Sequence, residues 1–273
     1  MAEKTGISWC DSTFNIAWGC VRVSEACRFC YAEALSKRFG FDIWGADKPR
    51  RIFGEKHWQE PLKWNRIAEH EGRRHRVFCS SMADVFEDHP TIAQERKKLW
   101  PLIRQTPNLD WLLLTKRADN IIGCLPDDWG AGWPNVWLGV TAENQEWFDK
   151  RVGALWYLKQ KYRDTVMFVS CEPLLGSIDA EWAVESIELQ ERSIEDGGAI
   201  YSSPIDWLIV GGESGPNHRP LNLDHVRSLR DQCVAAGVAF HFKQIGGLRP
   251  DSGGCELDGR EWKRFPQVEV SHA

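Results

Sequence analysis

Cys20, Cys27 and Cys30 lie close together in a Cys-x6-Cys-x2-Cys spacing, with Phe29 between the last two. Clustered cysteines in a reduced protein read first as metal ligands. Three thiolates satisfy three irons of a 4Fe–4S cluster and leave the fourth iron open to a substrate or cofactor. Zinc is the other reading. It takes four ligands, so Cys10 or a histidine would have to join the three cysteines. The remaining cysteines are scattered, and the total of nine is odd, which does not describe a disulfide scaffold. Cys79 and Cys171 fall within apolar runs and read as small buried hydrophobes. One of them could instead face a pocket as a hydrogen-atom donor.

A site of this kind needs a frame. Short apolar runs recur at Arg76–Ser81, Asp110–Thr115, Asn135–Thr141, Thr165–Cys171, Asp206–Gly212 and Val238–Lys243, after a shorter one near Phe14–Ala17. Near-continuous apolar character is that of parallel strands covered on both faces. Helical periodicity fills Tyr31–Phe39, Thr91–Arg104, Asn144–Tyr162 and Asn222–Ala236. The alternation predicts an α/β fold: a parallel (βα) barrel or partial barrel of about seven strands in a single domain. A doubly wound open sheet is the alternative. The barrel is expected over 1–247, with insertions near 42–64, over the cluster side, and near 185–204; 248–273 reads as a C-terminal extension.

Ligands in such folds sit at the carboxyl ends of strands. Those ends are polar here: Ser81 and Asp84, Thr115 and Lys116, Thr141, Glu143 and Asn144, Glu172, Gly211, Gly212 and Glu213, and Lys243. Polar groups ringing one inferred metal loop make a candidate cofactor platform. Lys116-Arg117 could hold a phosphate or carboxylate, or form a surface ion pair. His241, on an apolar run, reads as a satisfied wall histidine.

Composition bounds the function. The chain has 273 residues, 42% hydrophobic and 27% charged, and a net charge of −5. That charge argues against a broad basic face for duplex nucleic acid. The basic run Arg73–Arg76 reads as a solvated turn. Fifteen tryptophans could stack on bases, but their scatter favours core filling. No apolar run is long enough to span a membrane and the N-terminus lacks a secretory pattern, so a cytoplasmic protein is expected.

The cysteine segment is similar to the motif of the radical S-adenosylmethionine superfamily. Cys27-Arg28-Phe29-Cys30 matches its second half, while the first gap is three residues longer than usual. The chain also resembles a phage-associated three-cysteine family linked to that superfamily, through Phe14-Asn15-Ile16-Ala17-Trp18-Gly19-Cys20 and Cys30-Tyr31-Ala32-Glu33. The likeness continues in Ser81–Phe86, Leu114–Arg117, Gly139–Asn144, Ser170–Leu174 and Val210–Gly215, covering almost the whole chain. The resemblance implies a 4Fe–4S cluster on Cys20, Cys27 and Cys30, with S-adenosylmethionine on the open iron as the source of a 5′-deoxyadenosyl radical. It also implies an electron donor such as flavodoxin or ferredoxin; it does not supply the substrate, although the phage link makes a nucleoside, nucleotide or nucleic-acid base an attractive one, for modification or repair. Gly211-Gly212-Glu213 resembles the superfamily's Gly-Gly-Glu element for the methionine amine, although that element usually follows the second strand, where Asp84 and Glu87 stand here; binding substrate instead, or simply turning the chain, are the alternatives. The ribose or adenine is expected near Thr141, Glu143 and Asn144. The competing function is a non-catalytic, zinc-stabilised nucleic-acid-binding module.

Overall fold

The apolar runs become one parallel sheet. The computed structural model describes residues 5–184, 203–249 and 252–267. The strands of this sheet are β1 (Ser12–Phe14), β2 (His75–Cys79), β3 (Leu109–Thr115), β4 (Val136–Thr141), β5 (Met167–Cys171), β6 (Trp207–Gly211) and β7 (Ala239–Gln244); a separate antiparallel pair, Glu256–Leu257 with Arg260–Glu261, follows them. The strands of the sheet pair in sequence order, every neighbour parallel, and curl into a half-barrel. Among the described residues β1 and β7 do not pair, so the barrel is partial. The first strand starts earlier than its apolar run: Ser12 and Thr13 are buried because they pair with Val77 and Phe78.

The helices are α1 (Tyr31–Arg38), α2 (Glu55–Trp58), α3 (Glu60–Glu71), α4 (Pro90–Arg104), α5 (Ile121–Cys124), α6 (Gln145–Lys161), α7 (Glu181–Val184) and α8 (Leu223–Ala235). Local chemistry sets their ends. Asn144 and Asn222 accept from Trp147 N and Asp224 N as N-caps of α6 and α8. Pro90 starts α4 behind His89, and Gly72 at φ +65° stops α3. The 42–64 segment is thus partly helical. Its first half still lies beside the cysteine loop, through the bridges Trp18↔Arg51 and Cys20↔Trp44. The predicted insertion near 185–204 lies almost wholly outside the described residues. The stretch after 247 packs inward: Leu257 and Trp262 are buried in the main core, and Phe242 N donates to Trp262 O at 2.7 Å.

Alternate residues of each strand face opposite layers. Val77, Trp111, Leu113, Leu138, Val140, Val169, Val210 and Phe242 meet the helices. Phe78, Leu112, Trp137, Phe168, Trp207 and Ile209 fill the lower interior with Trp9. Gly139 has no side chain because the Phe168 ring occupies that space; a Cβ would meet it at 2.3 Å. The indole N–H groups of Trp9, Trp137 and Trp207 are buried without acceptors, so packing outweighs hydrogen bonding in this layer.

His241 belongs to the same inner layer, fully buried, with Nε2 at 2.9 Å from Ser8 Oγ. The tryptophans serve mainly as core, and the Arg73–Arg76 run is tied down: Arg73 pairs with Asp11, Arg74 with Asp110 and His75 with Glu71. Among the described residues no helix is long and apolar enough to cross a membrane.

Candidate functional site at the barrel mouth

Above the aromatic layer the same inner faces turn polar. Ser170, Gly211 and Lys243 continue the inward positions of Phe168, Ile209 and His241 by period two. Lys243 Nζ lies 2.7 Å from Glu172 Oε1, and Ser170 Oγ donates to Glu172 Oε2 at 3.0 Å. Gly211 makes room for this carboxylate, since a Cβ there would meet Glu172 Oε1 at 2.8 Å. Gly212 is required by backbone contact: its Cβ would fall 1.8 Å from Ile245 O.

The cysteine loop crosses this mouth. Cys20 follows β1, Cys27 closes a short 3-10 turn over Glu25–Cys27, and Cys30 caps α1. Four strand ends hold the loop. Tyr31 OH donates to Ser81 O, beyond β2, at 2.7 Å. Arg117, beyond β3, donates to Val21 O at 3.0 Å and to Cys20 Sγ at 3.6 Å. Ala26 N donates to Glu143 Oε1, beyond β4, at 3.2 Å. Arg219, which pairs with Glu213 beyond β6, donates to Glu25 O and Glu25 Oε1 at 3.3 and 3.2 Å.

The predicted strand-end carboxylates therefore meet protein cations. Asp84 accepts from Thr115 Oγ1, Lys116 N and Arg117, which fixes Arg117 beneath the loop. Glu87 holds Arg50 at 2.8 Å and reaches Arg117 at 3.4 Å. Glu143, fully buried, pairs with Arg151 at 2.9 Å, and Arg151 also donates to Thr141 O. Glu213 accepts from Arg219 N, Nε and Nη2, the last at 2.7 Å. Asn144 spends its side chain on the α6 cap.

The predicted residues lie at or just beyond the carboxyl ends of the strands. Asp84, Thr115, Glu143 and Glu213 position arginines there, whereas Glu172, Lys243 and Gly211 form the polar floor of the mouth. Arg151 and Arg219 were missed. Arg151 carried a signal, standing among Phe148, Val152 and Leu155 on the apolar side of α6. Arg219 lies in an irregular stretch and carried none.

The nine cysteines are unpaired thiols. Burial pushes Cys20 up to about 12 and raises Cys30, while Arg117 and Lys116 act in the opposite sense on them. Cys79 and Cys171 belong to the helix-side core and turn away from the mouth, so neither faces the pocket as a hydrogen-atom donor. Among the described residues no three His, Cys, Asp or Glu side chains converge closely enough to hold a metal ion as they stand. In donor type and charge the loop fits a three-thiolate group: three free thiols lie on one segment beside an ammonium and a guanidinium.

No curated protein and no solved structure matches the chain. One family does, over residues 4–266, and by that match the chain belongs to the family described as protein of unknown function (DUF5131).

Proposed function

We infer that the chain is an iron–sulfur enzyme of the radical S-adenosylmethionine type, with Cys20, Cys27 and Cys30 as its cluster ligands. One observation carries the reading: the three-cysteine loop spans the carboxyl ends of a parallel half-barrel and is tied to four of them. When bound, the cluster and S-adenosylmethionine would supply a reductively generated 5′-deoxyadenosyl radical. The three thiol side chains would first have to turn toward one centre.

The chain's own residues do the rest. Arg117 and Lys116 offset the negative charge of the thiolates. Glu143 holds the loop at Ala26 and is itself fixed by Arg151. Glu172 can accept from an ammonium and Lys243 can donate to a carboxylate, so their pair offers complementary partners for an amino-acid group that replaces it. Glu213 steadies Arg219, which keeps Glu25 and the loop over the mouth. The aromatic layer below keeps water from the floor. A nucleoside, nucleotide or nucleic-acid base as substrate rests on analogy through the phage link, and an electron donor of the flavodoxin or ferredoxin kind on the resemblance.

The test is anaerobic reconstitution with iron and sulfide. A brown protein absorbing near ~400 nm is expected, yielding 5′-deoxyadenosine from S-adenosylmethionine under dithionite. Cys27→Ala should lose both signals and Cys10→Ala neither. A colourless chain holding one zinc would replace this reading with a zinc-stabilised binding module.

A further inference from the structure

Beside the cysteine loop, between the segment after β3 and helix α6, lies a cavity of about 250 Å³. Lys116 and Arg117 contribute to its lining from the first side, and Trp147, Lys150 and Arg151 from the second. Val23 of the cysteine loop also reaches it, and Asp119 is the one carboxylate in the lining. Both guanidiniums are fixed from behind: Arg117 by Asp84 at 2.8 Å, Arg151 by Glu143 at 2.9 Å. Those acids balance the arginines, so the unbalanced charge comes from the lysines, opposed by Asp119.

Arg151 points to a ligand. It is 2% exposed. Its Nη1 is used, donating to Thr141 O and Glu143 Oε2 at 2.7 and 2.9 Å. Its Nε and Nη2 are buried with no acceptor. Those two groups form one edge of the guanidinium, the fork that receives two oxygens of an oxyanion. Its Cζ lies 4.0 Å from the Trp147 ring centroid, so one face of the group is taken by the indole. Buried donors without acceptors are rare and costly in folded proteins, so an unpaired guanidinium edge on a residue of the cavity wall calls for an acceptor.

We propose that this cavity is a phosphate-binding subsite, which takes the phosphoryl group of a substrate or cosubstrate presented beside the cysteine loop. Phosphate fits better than carboxylate, because cations approach from two sides and can engage three oxygens rather than two. The volume lies below that of sites enclosing whole ligands. The cavity therefore holds the phosphate, and the remainder of the molecule extends out of it. The inference goes beyond the cluster reading and does not depend on it.

Calorimetry on the purified full chain tests this with inorganic phosphate, adenosine 5′-monophosphate, adenosine, and a short DNA lacking terminal phosphates. Phosphate and the nucleotide should bind and adenosine should not. The Lys116→Ala/Lys150→Ala double variant should weaken nucleotide binding about tenfold or more while its melting temperature stays put. Arg151→Lys, which keeps the charge but removes the fork, should weaken it as well. Tighter binding of the nucleotide identifies a free phosphate ester as the source. Tighter, steeply salt-dependent binding of the DNA identifies a backbone phosphate. Either supports the subsite. Equal affinity for nucleotide and adenosine, an unaffected double variant, or no binding of any phosphate probe overturns it. Iron content measured on the same samples separates the two readings: a colourless chain that binds phosphate keeps the subsite and loses the cluster, and a brown chain that binds none does the reverse.

Discussion

The half-barrel interior changes character along its own strands. On β5 and β6, Phe168, Trp207 and Ile209 sit in an apolar layer, and the next inward positions, Ser170 and Gly211, open onto the Glu172–Lys243 pair. Below, Trp207 lies among Trp9, Trp137, Phe168 and Phe265, with ring centroids 5.2 to 6.4 Å away. Above, almost every contact is an ion pair or a hydrogen bond to the cysteine loop. The lower layer uses dispersion and excluded water, which are insensitive to direction. The mouth uses directional groups, which stabilise little but fix position. Stability and site geometry are therefore carried by different residues, one turn of the pleat apart.

Substitutions should separate the two layers. Trp207→Ala is expected to cost about 3–5 kcal/mol, from lost transfer energy and the cavity left behind, read by urea denaturation. Iron uptake per folded molecule should stay normal. Lost iron uptake in the folded fraction would mean that the layers are not independent.

The next largest effect follows from pH. Burial, then the nearby Lys263, Arg76 and Lys243, pushes His241 down to about 3. The unfolded chain takes up this proton near its ordinary value of about 6.5, while the folded chain refuses it until about 3. The stability contributed by the neutral ring is thus complete above about pH 6.5 and declines as pH falls. The loss amounts to about 3 kcal/mol by about pH 4.5. His57, also lowered by burial, acts in the same direction. His241→Asn should flatten the stability slope across this window. An unchanged slope would assign it to other groups.

At the mouth the effect is smaller. Arg219→Ala should cost roughly 1.5–3 kcal/mol, the scale of hydrogen bonds to charged groups. It should speed hydrogen exchange over Glu25–Cys27, where the loop loses its tie to β6. Exchange confined to the Arg219 segment itself would show that the loop is held by its other ties.

The sequence was most readable where one pattern dominated. The six longer strands stand out because parallel strands covered on both faces are apolar throughout, as in Leu112, Leu113 and Leu114. β1 was misplaced by two residues because its buried Ser12 and Thr13 look like loop, and only pairing with β2 makes them strand. Helix α3 begins inside the 42–64 stretch of glycine, proline and charge, which hid its start although Pro61 after Glu60 is a helix-start signal. At the mouth, strand-end chemistry located the right residues but not their partners. Which cation meets Glu143 or Glu213 is decided by tertiary approach, and spacing along the chain does not encode it.

The ties of the cysteine loop also bear on the order in which the molecule is completed. Ala26 waits for Glu143, 117 residues later, and Glu25 waits for Arg219, 194 residues later. Contacts of such span form late, because closing long loops costs entropy before the contacts repay it. During synthesis the three cysteines emerge well before Glu143 and Arg219, yet their loop reaches its docked form only after β6 has joined the sheet. Until then they are free thiols on a nascent segment. The loop is made long before the groups that hold it.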